Sequence, residues 1–392
     1  MARRRYPPAA NVVTVDALAD AGPLETWRHA LGHGGINSVP LPDAVVEGAT
    51  LLRPRLIRIF IQEFFTIYRG SGRFDWSRLD PYMDALDRTG AKVVAAITIK
   101  PKALFPQIDA AQWRPRDVAE WQNVVAQLVR RYSVERAIVT HWEIGNEPDI
   151  GEDGGCPYLI TRPEDYAEYY AMTVAPILET FPAAKVGGPG LANAFSDLLP
   201  GLIRHCARTA LPLDFVSWHL YHSDPALHAA LTRHTQILLA DYPGKRPEIM
   251  VTEFNRRLAE PVAAEDHAQD PRRAASLAAI LLAHAAIGLD WSFYYHLWDQ
   301  TCYHEDFANL FSPRGLKNMV RHWNEVPHRL GLFGVDGRVR PQYFVYRMLQ
   351  RLGERRLAAT TDGELGVMAG RSDAGPAVML VNYSIDQTCD RG

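Results

Sequence analysis

The chain is poor in cysteine, in net charge and in long apolar runs. Its 392 residues hold four cysteines, Cys156, Cys206, Cys302 and Cys389, and no C-x-x-C pair. Zinc-ribbon and thioredoxin-type chemistry therefore have no ligand spacing to rest on, and no other metal-ligand spacing is present. Free thiols are expected, with a Cys156–Cys302 loop disulfide as the alternative. A formal net charge of −3 argues against nucleic acid or an anionic membrane as the main partner. The longest apolar run, around Ser276–Leu289, contains His284 and is too short to span a bilayer. Met1–Pro8 carries a basic run with no apolar segment behind it, so it does not read as a secretory leader, and a cytoplasmic location is expected. Nor is there a G-x-G-x-x-G loop: Gly32-His33-Gly34-Gly35 comes nearest and lacks the third glycine.

What the chain has is alternation. Short β-branched or apolar segments lie near Arg28–Leu31, at Leu56–Phe60, Lys92–Ile99, through His141-Trp142-Glu143-Ile144, and at Ala184–Gly188, Phe215–His219, Glu248–Glu253 and Trp291–His296. Between them run helical patterns, among them Asp117–Arg131 with Asp117 as N-cap, Pro163–Thr180, Leu198–Arg208, Ala226–Ala240, Arg272–Ile287 and a closing Pro341–Leu352. Strand–helix units repeated eight times predict an α/β fold, a (β/α)₈ barrel over residues 18–353. After Gly353 the pattern changes to strands, Gly366–Gly370 and Ala377–Tyr383, joined by a Ser372–Pro376 turn. With the run Asn11–Val15 they predict a small accessory β-structure from residues 1–17 and 354–392.

Two glutamates stand out against that frame. Asn146-Glu147-Pro148 follows the fourth predicted strand, and the proline should stop it there. Glu253 ends the seventh. Both fall on the C-terminal rim, where barrel enzymes do chemistry. A carboxylic acid facing a carboxylate across a concave site is what glycoside hydrolysis requires: one protonates the leaving oxygen and the other attacks the sugar, with retention when they are ~5–5.5 Å apart. Glu143, four residues before Glu147, is expected to be buried and paired inside the barrel rather than catalytic.

Trp142-Glu143-Ile144-Gly145-Asn146-Glu147-Pro148-Asp149 resembles the strand-four motif of clan A glycoside hydrolases, and Val251-Thr252-Glu253-Phe254-Asn255 their strand-seven nucleophile motif. More narrowly, the chain resembles glycoside hydrolase family 39, which includes β-xylosidases and α-L-iduronidases. Ile57-Arg58-Ile59-Phe60, the aromatic-rich Gly72–Asp80 and Ser217-Trp218-His219-Leu220-Tyr221 are similar to the family's strand-two, helix-two and strand-six patterns. The resemblance implies Glu147 as general acid/base and Glu253 as nucleophile. It implies Asn146 on the sugar 2-hydroxyl, Tyr221 and Arg58 holding Glu253 ionised, and His219 lining the −1 sugar site. Strand eight departs from the family: Tyr295 stands at the matching place, with Trp298 displaced, and either is a candidate sugar-stacking ring.

The expectation is a retaining O-glycosyl hydrolase that needs no cofactor or metal and acts on an oligosaccharide or glycoside, β-xylosidase-like in the first instance. The alternatives are a clan A endo-glycanase on a bacterial or plant polysaccharide and a non-catalytic carbohydrate-binding barrel. Lys100 and Lys102 lie where a uronic sugar's carboxylate would be met, although solvated rim lysines are the simpler expectation. Phe105, Trp113, Tyr158 and Tyr303 are read either as plus-side sugar platforms or as loop packing.

Overall fold

In Leu56–Ile61 every residue is buried. A strand hidden on both faces belongs inside a covered parallel sheet, and the computed structural model places it in a closed barrel. The structure describes residues 12–256, 269–325, 329–363 and 365–383. After β1 (Val13–Pro23) come the eight staves: β2 (His29–Gly32), β3 (Leu56–Ile61), β4 (Lys92–Ile97), β5 (Val139–Ile144), β6 (Lys185–Leu191), β7 (Phe215–Tyr221), β8 (Glu248–Asn255) and β9 (Trp291–Tyr295). All neighbours are parallel, and β9 closes on β2 with Gly32 opposite Tyr295.

The helices alternate with the staves: α1 (Asp43–Thr50), α2 (Leu79–Asp87), α3 (Val118–Val129), α4 (Pro163–Thr180), α5 (Leu198–Thr209), α6 (Pro225–Leu238) and α7 (Pro271–Ile287). The long connection after β9 carries α8 (His304–Phe307) and α9 (Pro313–Val320) before α10 (Pro341–Arg351) completes the ring. Asp117 caps α3 as its position suggests, accepting the Glu120 amide at 3.0 Å.

Side chains on one strand face recur every second residue. At the floor Ala30, Leu56, Val94, Phe215, Met250, Trp291 and Phe293 fill the interior. Higher on β3 the same face carries Arg58 and then Phe60, so polar chemistry begins only toward the C-terminal rim.

The terminal strands form a separate antiparallel sheet, β1-β10-β11-β12, with β10 (Arg355–Thr361), β11 (Gly366–Ser372) and β12 (Gly375–Val381). Strand β10 was not legible in the sequence: its Arg355-Arg356 start and Ala358-Ala359 lack β-branched residues, and pairing with β1 makes it a strand. Asn11 and Cys389 lie outside the described residues. Cys156, Cys206 and Cys302 are buried free thiols, so the Cys156–Cys302 alternative is not formed. Among the described residues no helix is long and apolar enough to cross a membrane.

Candidate active site

The rim of the barrel brings Glu147 and Glu253 together. β5 ends at Ile144; Gly145 (φ +99°) turns the chain, and Glu147 itself sits at φ +44°, its amide donating to Gly190 O at 2.7 Å. That turn throws the Glu147 side chain back over the barrel mouth. Gly154 packs directly beneath it: a Cβ there would lie 2.8 Å from Glu147 Cβ and closer still to its carboxylate. Glu253 lies within β8. One carboxylate oxygen of each glutamate and a His219 ring nitrogen lie within 4.8 Å of one another.

A buried network sets the two acids apart. Arg58, 0 % exposed, distributes its guanidinium over three acceptors: Nε to Glu143 Oε2 at 2.6 Å, Nη1 to Glu253 Oε1 at 2.7 Å and Nη2 to Asn146 Oδ1 at 2.8 Å. Tyr221 Oη donates a short hydrogen bond to Glu253 Oε2. Both Glu253 oxygens thus meet donors. Burial still raises its pKa, opposed by Arg58 and by the hydrogen bond from Tyr221. Glu147 has no comparable donors. Burial first, and then the Glu253 charge, push its carboxyl well above the usual range. His219 Nδ1 lies 2.7 Å from Glu147 Oε1, and burial keeps its imidazole neutral at ordinary pH, its pKa held well below 6.5. Burial and the Glu253 charge thus raise the Glu147 pKa strongly, while at Glu253 the Arg58 charge and the Tyr221 hydrogen bond offset part of the rise. The Glu147–His219–Glu253 trio is also close enough to grip a cation, but the Arg58 guanidinium already occupies Glu253 and opposes a second positive charge there.

The pocket over this pair is lined by Phe60 and Tyr295 on one side, Gly154 and Gly155 beside Glu147, and Met319, His322 and Trp323 from the connection after β9. Tyr295 donates to Gly34 O at 2.7 Å, which holds its ring at the mouth.

Comparison with known proteins fits this arrangement. The sequence profile of Glycosyl hydrolases family 39 matches residues 53–388. The chain belongs to glycosyl hydrolase family 39. It is similar to a β-xylosidase of Geobacillus stearothermophilus, 22% identical over 295 residues that make up 70% of this chain and 53% of that protein. This family 39 chain thus spans about half the length of the curated relatives it matches. Among solved structures it resembles a glucosidase from Croceicoccus marinus (TM-score 0.71, 19% identity, 95% of this chain and 76% of that one). It also resembles a family 39 β-xylosidase from Caulobacter crescentus (TM-score 0.69, 20% identity, 93% and 80%). At such identities these two likenesses speak to the fold.

Of the residues singled out in the sequence, Glu147, Glu253, Asn146 and Tyr221 line the pocket, and Arg58 lies directly beneath them. His219 sits under the two carboxylates at 1 % exposure, behind the pocket wall rather than in it. Between the two strand-eight candidates the structure separates cleanly. Tyr295 lines the pocket, whereas Trp298 turns away, its ring 6.2 Å from that of His33 and its backbone bridged to Phe333.

Lys100 is not a solvated rim lysine. It is buried, donating to Asp109 O at 2.6 Å and Pro157 O at 2.9 Å, and burial lowers its pKa to about 8. Lys102 is exposed outside this pocket. Phe105 and Tyr158 pack on each other with ring centres 5.7 Å apart, and Trp113 and Tyr303 also lie outside the lining. The sequence reading missed Phe60, which its two-residue step from Arg58 would have revealed. It also missed Met319, His322 and Trp323, whose place is set by a loop carrying no periodic signal.

Proposed function

We propose that this chain is a retaining glycoside hydrolase that works by double displacement. Glu253 attacks the anomeric carbon, forming a glycosyl-enzyme ester, while Glu147 protonates the departing oxygen. Glu147, now a carboxylate, then takes a proton from the water that hydrolyses the ester and is reset for the next cycle. The observation that carries this reading is the spacing: one carboxylate oxygen of each glutamate lies within 4.8 Å of the other, the close approach of a retaining pair rather than the wider gap of an inverting one. A barrel that only bound carbohydrate would have no use for a nucleophile held by Arg58 and Tyr221 opposite a raised acid. Asn146, fixed by Arg58 at 2.8 Å beside Glu147, is placed to meet the sugar 2-hydroxyl, and Tyr295 to cover the ring face.

A terminal xylose is the substrate we favour. The curated relatives are named β-xylosidases. Lys100, which offered a counter-charge for a uronic carboxylate, spends its donors on two loop carbonyls. The test is proton NMR of the first product formed from aryl β-xylosides, with β-glucosides as comparison. Retention predicts the β anomer first, relaxing later to the equilibrium mixture. Appearance of the α anomer first overturns the double displacement.

A further inference from the structure

Glu143 takes no part in the chemistry proposed above, yet it is fully buried, at 0 % exposure, beside the groups that do. Arg58 Nε donates to its Oε2 at 2.6 Å and Thr252 Oγ1 to its Oε1 at 2.9 Å. Thr252 faces the interior two residues after Met250, and an extra residue in β8 brings Glu253 in beside it. The register with β7 passes from Trp218 opposite Val251 to His219 opposite Glu253. Such a bulge leaves one residue unpaired and lets consecutive side chains, here Thr252 and Glu253, approach the same interior. The β6 backbone makes room for the pair at Gly190 (φ +65°), where a Cβ would come to 3.1 Å from Glu143 Oε1 and 3.5 Å from Arg58 Nη2. Burying two charges in contact is costly unless they serve one another or a third group. Here the third group is Glu253, 2.7 Å from the same guanidinium.

We propose that Glu143 is a positioning residue that sets the proton affinity of the nucleophile: it aims Arg58 and claims a share of its single positive charge. The inference rests on the glycosidase reading of the site. One guanidinium facing two carboxylates stabilises each less than it would one alone, so Glu253 is kept from being too weak a base and too poor a nucleophile. The groups facing Glu253 are Arg58 from β3, Glu143 from β5, Glu147 beyond β5, His219 and Tyr221 from β7 and Tyr295 from β9. Those facing Glu143 are Arg58, Thr252 and, on the α4 side, Tyr166. Burial raises the Glu253 pKa, Arg58 and Tyr221 lower it, and the charge of Glu143 adds to the rise.

The experiment compares Glu143→Gln with wild type. Two readouts are used: the pH profile of kcat/KM, and carboxyl-carbon NMR titration of Glu253 in the substrate-free protein, which needs no activity. With Glu143 neutral, Arg58 acts on Glu253 alone, and the acidic limb and the Glu253 titration should both move down by about one pH unit. Thr252→Val should move them the other way. It strips the hydrogen bond that disperses the Glu143 charge, and it serves alone if the glutamine variant does not fold. A structural role would lower stability or kcat and leave the limb in place. An unmoved Glu253 titration in the folded variants overturns the proposal. Absence of glycosidase activity with a moved titration instead sinks the functional reading and spares this one.

Discussion

Two glutamates of one chemical type are given different surroundings by their neighbours. Glu253 receives the Arg58 guanidinium and the Tyr221 hydroxyl, while Glu147 receives burial and the negative charge of Glu253. Substitutions should therefore separate the two steps. In the proposed mechanism Glu147→Ala removes the acid but not the nucleophile. On substrates with poor leaving groups kcat/KM should fall by roughly 10²–10⁴-fold. On dinitrophenyl glycosides the first step should be spared and the second stalled, with azide restoring turnover because that anion needs no base. Steady-state assays with and without azide check this. Tyr221→Phe removes a hydrogen bond to the charged form of Glu253, so its pKa rises and the acidic limb of kcat/KM should move to higher pH. At this scale the sequence was most informative for residues held by regular strands. Arg58 and Tyr221 on β3 and β7 point inward by simple alternation, and Glu253 joins them through the bulge in β8. Trp298 misled because it lies past β9, where alternation no longer fixes direction.

The element that shapes the pocket beyond the two acids is α9. Its N-cap Ser312 accepts the Gly315 amide at 3.2 Å, and Ser312 N donates to Glu152 Oε1 at 2.7 Å, with a second short hydrogen bond from Ser312 Oγ to Glu152 Oε2. Arg314 adds an exposed ion pair to Asp153 at 2.7 Å. The turn that follows Glu147 is thereby tied to the helix that presents Met319 and, just after it, His322 and Trp323. Ser312→Ala removes the cap and strands the buried Glu152 oxygen, at a cost of about 1–2 kcal/mol. Because the loosened wall does not touch the reacting atoms, KM should rise several-fold while kcat and both pH limbs hold. Michaelis kinetics across pH test that split. None of this clamp was readable beforehand. A cap motif such as Ser312-Pro313 announces a helix start, but its partner Glu152 is far off in the sequence, and only the packing of two rim loops joins them.

Over the whole molecule the division of labour follows the barrel axis. The floor is apolar and the rim polar, and burial lowers the pKa of His29, His141, His228 and His284 in the frame. His141, at 6 % exposure near Phe215 and Lys185, has its pKa lowered to about 3, first by burial and then by Lys185. Its folded pKa is depressed, so between pH 6.5 and about 3 the unfolded chain binds a proton that the folded chain refuses. Its contribution to stability is intact above pH 6.5 and erodes as pH falls. His141→Gln is insensitive to pH at this position, so whatever it costs at pH 7, it should cost ~2 kcal/mol less at pH 5. Urea midpoints at constant slope measure it, and an unchanged difference contradicts the assignment. The barrel itself was legible because its staves are short apolar runs that alternate with helical patterns. The terminal sheet was only half legible, since β10 owes its existence to pairing with β1.

In the proposed mechanism Glu253 forms a covalent bond to sugar. Incubation with dinitrophenyl 2-deoxy-2-fluoroglycosides, the xyloside first, slows the second step more than the first and should accumulate that ester. Mass spectrometry should then find one added fluorosugar per chain, on the peptide that contains Glu253. A label on a different residue, or no label from any sugar while natural glycosides are still turned over, contradicts the account.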